Sequence, residues 1–346
     1  MIKGIKEKVL SFLNKLANSV VFFMTVILLV LAVVFFLGFG TSARAALIEQ
    51  MLHREQIIAR SGANSIETFM NLVGNSITII AKGTPTPEDL DVFTEKWNDT
   101  PVVGIILTDA SGEVIVNSNR TGELGTGVNL SDRDYFIWAK TAAEGQVYVS
   151  APVISRLGTS KGKFIVLVSS PVVENGEFKG VLAGAALLSD VPGYFLEPLK
   201  ISPATRIYLL DDSGVILSSG VPQLIGVNYI DYLASNPFLG SVATVPTFKK
   251  ALASKEEGKI DIALQDETNQ KLTRYLIAYT PLLLNGDERH WLLAVATPAE
   301  DALVYMGPIY ARQFVAIIVA FLAVLALGIR LAKVIAYREA RQKLQK

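Results

Sequence analysis

This chain of 346 residues has no cysteine and only two histidines. Without cysteine there is no disulfide, no thiolate metal site and no thiol nucleophile, so any folded part is held by its core alone. His53 and His290 lie far apart, and a neighbouring Glu49 or Glu288 does not complete a ligand set, so no metal is expected. Charge of one sign is not in excess either. Thirty-two basic residues balance 32 acidic ones, which removes the electrostatic case for nucleic acid. Proline is absent from Thr41 to Lys82, where Leu47, Met51, Ile57, Ile58, Ile66, Met70, Leu72, Val73, Ile77 and Ile80 recur at helical spacing. This predicts one long helix, loosened at Ser61-Gly62 and ended by Gly83, Pro85 and Pro87.

Polar side chains are missing from two further stretches. Val20 to Gly40 has Thr25 as its one conventionally polar residue, and Phe314 to Ile329 has none. A hydrocarbon core about 30 Å thick takes roughly 20 helical residues. The first run meets that length alone. The second meets it with Met306 to Tyr310 and Leu331 to Tyr337 added, Arg312 and Lys333 snorkelling to the interfaces. Lys3, Lys6, Lys8 and Lys15 precede the first run. Arg330, Lys333, Arg338, Arg341, Lys343 and Lys346 lie at or beyond the end of the second. Basic flanks stay cytoplasmic, so both termini are expected inside and residues 41–312 outside the plasma (inner) membrane. A signal peptide cleaved near Ala43-Arg44-Ala45 is the rival reading, but its apolar region is longer than such segments usually are.

The outer part contains an internal repeat. Residues 106–118 read ILTDASGEVIVNS and residues 208–219 read YLLDDSGVILSS, each a strand, an Asp-x-Ser-Gly turn and a second strand. Further on, SSPVVENGEFKGVLAGA (169–185) is echoed by YTPLLLNGDERHWLLAVA (279–296). In each a proline is followed by three residues and Asn-Gly, which is Asn175-Gly176 in the first and Asn285-Gly286 in the second. Asn-Gly supplies the positive φ of a type I′ hairpin. Helix-rich inserts are expected at Ser131 to Glu144, capped by Ser131 or Asp132 and stopped by Gly145, and at roughly Tyr229 to Ser254. Two elements recurring in one order argue for duplicated modules of α+β type, antiparallel sheets with helices packed on them. Residues Ser189 to Leu199 connect them.

Catalysis finds little support. Asp211-Asp212 falls in a turn that the repeat explains. Gly158-Thr159-Ser160-Lys161-Gly162 matches Gly-x-Ser-x-Gly but precedes a strand instead of joining a strand to a helix. No P-loop or dinucleotide fingerprint occurs. The expectation is a protein that is not an enzyme and takes no cofactor.

The long helix, the segment LSDRDYFIWAK (130–140), the segment 148–188 and the repeat together resemble the double Cache sensory domains. These are PAS-like tandem modules held outside the membrane by bacterial chemoreceptors, histidine kinases and diguanylate cyclases. The likeness covers roughly residues 41–335. It implies a cytoplasmic N-terminus (1–18), a transmembrane helix (19–40), a long extracytoplasmic helix (41–82), a membrane-distal module (83–198), a membrane-proximal module (199–305), a second transmembrane helix (306–335) and a short cytoplasmic tail (336–346). Many amino-acid-binding members carry Arg-x-Trp-Tyr on the distal helix, the arginine holding the ligand carboxylate, with a later aspartate for the ammonium. Here Arg133-Asp134-Tyr135-Phe136 matches with two substitutions. Ser155-Arg156 stands where the aspartate is expected, so an anionic or neutral ligand suits this chain better than an α-amino acid.

Read as residues, Arg133 near a helix start can grip a carboxylate with two parallel hydrogen bonds, or can be an exposed residue paired with Asp132 or Asp134. Tyr135, Trp138 and Tyr148 supply aromatic walls, or else core packing. Tyr148 and Ser150 share a strand face. Asp190 is a polar lining residue or a helix cap. Arg206, Tyr208, Tyr229 and Tyr232 are consistent with a vestigial or second pocket in the proximal module. The family also implies a homodimer through the long helix, and a cytoplasmic or membrane signalling partner. After Tyr337 only REARQKLQK remains, too short for an output module, so the chain is expected to be a fragment or to work through such a partner. The reading from another class is a non-signalling periplasmic scaffold, adhesion or assembly subunit that reuses the fold.

Overall fold

The computed structural model describes residues 2–123, 125–200, 202–235, 244–266, 271–284, 289–304 and 306–344. They divide into two compact units, Gln50–Asp301, and Met1–Glu49 with Ala302–Lys346.

In the larger unit, helix α1 (Ile2–Ala81) buries a continuous stripe. Met51, Glu55, Ala59, Ala63, Ile66, Met70, Val73, Ile77 and Ala81 follow one another at three or four residues. The helix is not loosened at Ser61-Gly62, as the sequence suggests. A Cβ on Gly62 would lie 2.7 Å from the Leu293 side chain and 2.8 Å from that of Leu196, so this glycine lets the helix approach closely instead of breaking it.

Two antiparallel sheets follow. Helix α2 (Pro87–Lys96) starts at a Thr86–Asp89 capping box. The first sheet is built from β1 (Val102–Thr108), β2 (Val114–Asn119), β3 (Tyr148–Val149), β4 (Val153–Ile154), β5 (Phe164–Glu174) and β6 (Glu177–Leu187), with helix α3 (Asp134–Ala139) inserted after β2. Its order is β2-β1-β6-β5-β3, with β4 also paired to β5. The second has β7 (Arg206–Leu210), β8 (Ile216–Ser219), β9 (Gly258–Gln265), β10 (Leu272–Leu284) and β11 (Arg289–Pro298), with α4 (Tyr229–Ser235) and α5 (Thr244–Ala253) as its insert. Its order, β8-β7-β11-β10-β9, repeats that of the first. The architecture is α+β, two tandem PAS-like modules against one long N-terminal helix. A short helix α6 (Ala299–Leu303) follows β11.

The second helical insert begins and ends close to where its sequence suggests, at Tyr229 and Ala253, but the first is shorter than expected. In the first, α3 is six residues long, and Arg133 itself is the N-cap, without a side-chain cap bond. Its ladder ends by Lys140, well before the expected stop at Gly145.

Strand alternation gives each sheet two buried faces. Ile105, Val166, Val168 and Leu182 of the first sheet and Leu209, Leu282, Trp291 and Leu293 of the second join α1 in one shared core. On the other face of the first sheet Ile106, Ile165, Leu167 and Ala183 pack under α3. On that of the second, Leu210, Ile277, Leu292 and Ala294 pack under α4 and α5.

The repeat is structural to the level of single hydrogen bonds. Asp109 Oδ1 accepts from the Ser111 and Glu113 amides (both 2.9 Å) and the Ser111 hydroxyl (2.7 Å). Asp211 Oδ1 accepts from the Ser213 and Val215 amides (3.0 and 2.8 Å) and the Ser213 hydroxyl (2.6 Å). A second brace, Gly127-Val128-Asn129 against Gly226-Val227-Asn228, recurs with it. Asn129 donates to the Ser111 carbonyl and accepts from the Ser131 amide, while Asn228 donates to the Ser213 carbonyl and accepts from the Ile230 amide. Each asparagine thus fixes where its module's helical insert leaves the hairpin.

Asn175 (φ 51°) and Gly176 (φ 80°) form the expected tight turn between β5 and β6. Asn285-Gly286 lies outside the described residues. Pairing of the closing strands equates Ala183, opposite Ile106, with Ala294, opposite Tyr208, and Ala185, opposite Gly104, with Ala296, opposite Arg206. Aligning the repeats on Asn-Gly misses this by one residue. The cause is the connection, which leaves four residues between the paired Leu284 and Arg289 but two between Glu174 and Glu177; a bulge in β6, where Val172 faces Gly180 but Val173 faces Phe178, makes up one of that difference of two.

In the smaller unit, α7 (Met306–Leu344) contains Tyr310–Arg330, a stretch long and apolar enough to cross a membrane and not buried in protein. It is the one such helix among the described residues. The first apolar run is helical within α1, and most of its side chains lie outside those described. Phe23, Ile27, Val30 and Val34 on α1 are exposed, as are Phe314, Ile318 and Leu322 on α7. Tyr310 donates to the Gly40 carbonyl at 3.1 Å, and a Cβ on Gly40 would lie 2.8 Å from the tyrosine ring.

Candidate ligand-binding cleft

On the face of the first sheet away from α1, strands β1, β2, β5 and β6, the start of α3 and residues 153–160 enclose a cleft of about 560 Å³, part of it open to solvent. Its floor is apolar, from Ile106, Ile165, Leu167 and Ala185. Its rim is polar, from Asn117, Asn119, Arg133, Ser155 and Arg156.

Arg133 reaches the cleft because the Asn129 brace and the N-cap position hold its backbone. Its φ of −79° and ψ of 141° are extended, and its carbonyl accepts from the Phe136 and Ile137 amides at 3.1 and 3.0 Å. The guanidinium Nη2 donates to the Ile154 carbonyl at 2.9 Å. No carboxylate pairs with it among the described residues, so the fork keeps donors facing the cleft.

The neighbouring charges are occupied. Arg156 binds Asp132 through both nitrogens, at 2.7 and 2.6 Å, and this hydrogen bonding holds the Asp132 carboxyl below the usual carboxylate range. Asp134 turns away from the cleft. Its Oδ2 accepts from the Ala151 amide at 2.8 Å and the Tyr148 hydroxyl at 3.3 Å, which ties α3 to the β3–β4 segment. Among the described residues no acidic side chain lines the cleft.

Tyr135 lines it and is 1% exposed. Burial pushes its phenol above the ordinary tyrosine value, so it stays a neutral hydroxyl, able to donate, at any physiological pH. The other residues singled out from sequence sit elsewhere. Trp138 and Tyr148 stack on each other at 5.0 Å between centroids, outside the cleft. Ser150 is buried and accepts from the Leu167 amide at 3.0 Å while donating to the Ala151 carbonyl at 2.6 Å, closing the β3–β5 ladder. Asp190 accepts from the Ser189 hydroxyl at 3.1 Å beside the connector and does not line the cleft.

Asn117 and Asn119 are not evident as site residues from the sequence, whereas Ser155, which stands with Arg156 where the resemblance expects an aspartate, does line the cleft. The two asparagines alternate on β2, and both donate to the Glu123 carbonyl, at 3.1 and 2.6 Å. Their period-two spacing after the Asp-x-Ser-Gly turn is the signal that would have found them. Ser155 and Ser160 share a 2.9 Å hydrogen bond that shapes the opposite rim.

A family model described as Cache domain matches residues 40–305. No curated protein matches the chain by sequence. Among solved structures, the ligand-binding domain of the Pseudomonas fluorescens chemoreceptor CtaA, in complex with L-serine, is similar over 74% of this chain and 99% of that one, at 14% identity and a TM-score of 0.51. The ligand-binding domain of the Pseudomonas aeruginosa PAO1 amino acid chemoreceptor PctB, in complex with L-Arg, is similar over 75% and 97%, again at 14% identity and 0.51. An extracellular ligand binding receptor from Desulfohalobium retbaense DSM5692 is similar over 72% of this chain but 39% of its own length, at 14% identity and 0.48.

Proposed function

The chain belongs to the Cache domain family, of the double Cache type, and from that premise we propose that it is a transmembrane receptor binding a small carboxylate-bearing or neutral molecule in the Arg133 cleft. The observation that carries this reading is a guanidinium with no carboxylate partner over an apolar floor, on a wall with no acidic side chain among the described residues. A carboxylate there gains two charge-assisted hydrogen bonds, and the Tyr135 hydroxyl is a further donor.

The similar structures include receptors in complex with L-serine and L-arginine. For this chain an α-amino acid is the poorer ligand. Its ammonium would enter a cleft whose nearby carboxylates, Asp132 and Asp134, are engaged by Arg156 and by the Ala151 amide. An unpaired buried ammonium costs several kcal/mol.

The signalling part of the proposal places two spans, α1 up to Gly40 and α7 from Tyr310, with both termini cytoplasmic, in line with the basic flanks. A ligand favouring one packing of the first module shifts the two helices by no more than its differential affinity allows. Homodimerisation uses the outward face of α1, where Ile57, Leu72 and Ile79 are exposed. The chain has no cysteine, so single cysteines placed along residues 57–79 report that pairing directly. Absence of crosslinks at every position contradicts it. No chemical step on the ligand is part of this reading.

The test is thermal melting of the full chain in detergent against a panel of small carboxylates, amides and amino acids. A ligand at 100 times its Kd stabilises by about 2.7 kcal/mol, a shift of several degrees. The reading predicts shifts for carboxylates that vanish in Arg133→Ala. No shift from any compound, together with ordered self-assembly, favours the scaffold reading.

A further inference from the structure

The second module has a cleft in the equivalent place and of the same size, about 600 Å³, but its chemistry is inverted. Tyr208, Tyr229, Phe248 and Tyr275 line it, and the floor is made by the small residues Ala294 and Ala296. The repeat shows how the inversion arises. Counted from the shared Asp-x-Ser-Gly turn and asparagine brace, Tyr208 replaces Ile106, Tyr229 replaces Leu130, Ser219 replaces Asn117, and Tyr232 stands where Arg133 does, four residues past the bracing asparagine. The anion-gripping group is gone and aromatic rings have taken over the walls.

Those rings are arranged as a cage. Tyr229 lies edge-on to Phe248 at 5.5 Å and stacks with Tyr208 at 6.1 Å. Among the described residues no charged side chain lines the cavity. Beside it Arg206 and Asp266 pair with each other at 2.6 Å, and the Tyr275 hydroxyl donates to the same carboxylate, so this polar cluster is internally neutralised. A carboxylate moved into such walls loses its hydration and finds no cation among the described lining residues, whereas a planar apolar molecule gains stacking and burial.

We infer that the second module holds a second small-molecule site, selective for an aromatic compound of one or two rings that carries no negative charge, and independent of the Arg133 cleft. The alanines at 294 and 296 set its depth, since larger side chains at those positions would fill the space between the Tyr208 and Tyr275 strands.

The test uses 5-fluoroindole as the probe, followed by ¹⁹F NMR with the full chain in lipid nanodiscs. The expected result is saturable line broadening that unlabelled indole displaces and indole-3-carboxylate does not. Ala294→Leu and Ala296→Phe each weaken binding at least tenfold, and Arg133→Ala leaves it unchanged. Broadening that never saturates, or that survives both filling substitutions, overturns the inference. So does loss of binding in Arg133→Ala, which would put the probe in the first cleft. Should both filling variants fail to fold, the charge series decides, and equal displacement by indole-3-carboxylate overturns the proposal.

Discussion

The two modules share a sheet order, a turn and a brace, yet one cleft is rimmed with amides and a free guanidinium while the other is walled with tyrosines. The comparison separates what the fold needs from what the ligand needs. Residues that bond to the backbone of the hairpin recur, as Asp109 with Asp211 and Asn129 with Asn228 do. Residues that face the clefts differ. Arginine appears in both modules but does different work. Arg133 is held by one carbonyl at a cleft mouth, and Arg206 is locked to a buried aspartate.

The sharpest way to break the comparison is at Gly180, the bulge that only the first module has. A Cβ there would lie 1.9 Å from the Thr108 carbonyl oxygen, at a φ of 153°. Gly180→Ala is expected to cost about 4 kcal/mol or more, read by denaturant unfolding, because no side chain can yield where the obstacle is backbone. His290→Ala, on the unbroken β11, loses one hydrogen bond to the Leu252 carbonyl and costs about 1 kcal/mol.

The arginines give the next contrast. Arg206→Ala leaves Asp266 buried and without its cation, for a loss of about 3 kcal/mol in the same assay. Arg133→Ala changes stability by about 0.5 kcal/mol or less while removing the response to carboxylates. Equal stability losses from the two would contradict the assignment of different roles.

A third contrast lies along α1. Under the first sheet its buried face is apolar, whereas under the second it carries Glu55, 0% exposed. Burial pushes its carboxyl from 4.5 up to about 8, with the Thr297 hydroxyl offsetting a small part. Below pH 4.5 the group is neutral in both folded and unfolded chains. Between that value and about 8 the unfolded chain is ionised and the folded one is not, so stability falls as pH rises. The slope is up to about 1.4 kcal/mol per pH unit. Melting across pH 5 to 8 should show this decline, and Glu55→Gln should flatten it. A slope unchanged in Glu55→Gln would show that the group is not buried in its neutral form.

The smallest expected difference tests the brace. Asn129→Ala and Asn228→Ala should each cost about 1 kcal/mol, within a few tenths of each other, because each removes a similar side-chain bonding pattern. Only Asn129→Ala should also weaken carboxylate binding, since only there does the brace position a cation.

Much of this plan was legible in the sequence because duplication writes the same turn chemistry twice. Asp-x-Ser-Gly and Asn-Gly are local signals, set by positive φ and by side-chain to backbone bonds a few residues away. The Gly-Val-Asn brace is just as local, but it was overlooked because an apolar strand end and a helix start obscure it. The length of the first helical insert is hidden in the sequence for another reason. Ser131 and Asp132 look like caps, yet Ser131 bonds to Asn129 and Asp132 to Arg156, so the helix starts only at Asp134. The residues of the cleft depended on long-range pairing. Tyr148 and Ser150 share a strand face as expected, but tertiary contacts aim one at Trp138 and tie the other to the Leu167 backbone. No periodicity in the sequence reports that.

The central claim is that the first cleft reads a carboxylate and has no seat for an ammonium. Three near-isosteric ligands test it most directly by calorimetric titration into the full chain at neutral pH, namely 4-methylpentanoate, 4-methylpentanamide and L-leucine. The account predicts that 4-methylpentanoate binds tightest, that the amide is weaker by the loss of a charge-assisted pair, that L-leucine is weakest, and that Arg133→Ala abolishes the advantage of the carboxylate. Tightest binding by L-leucine, or a carboxylate affinity indifferent to Arg133→Ala, would contradict it.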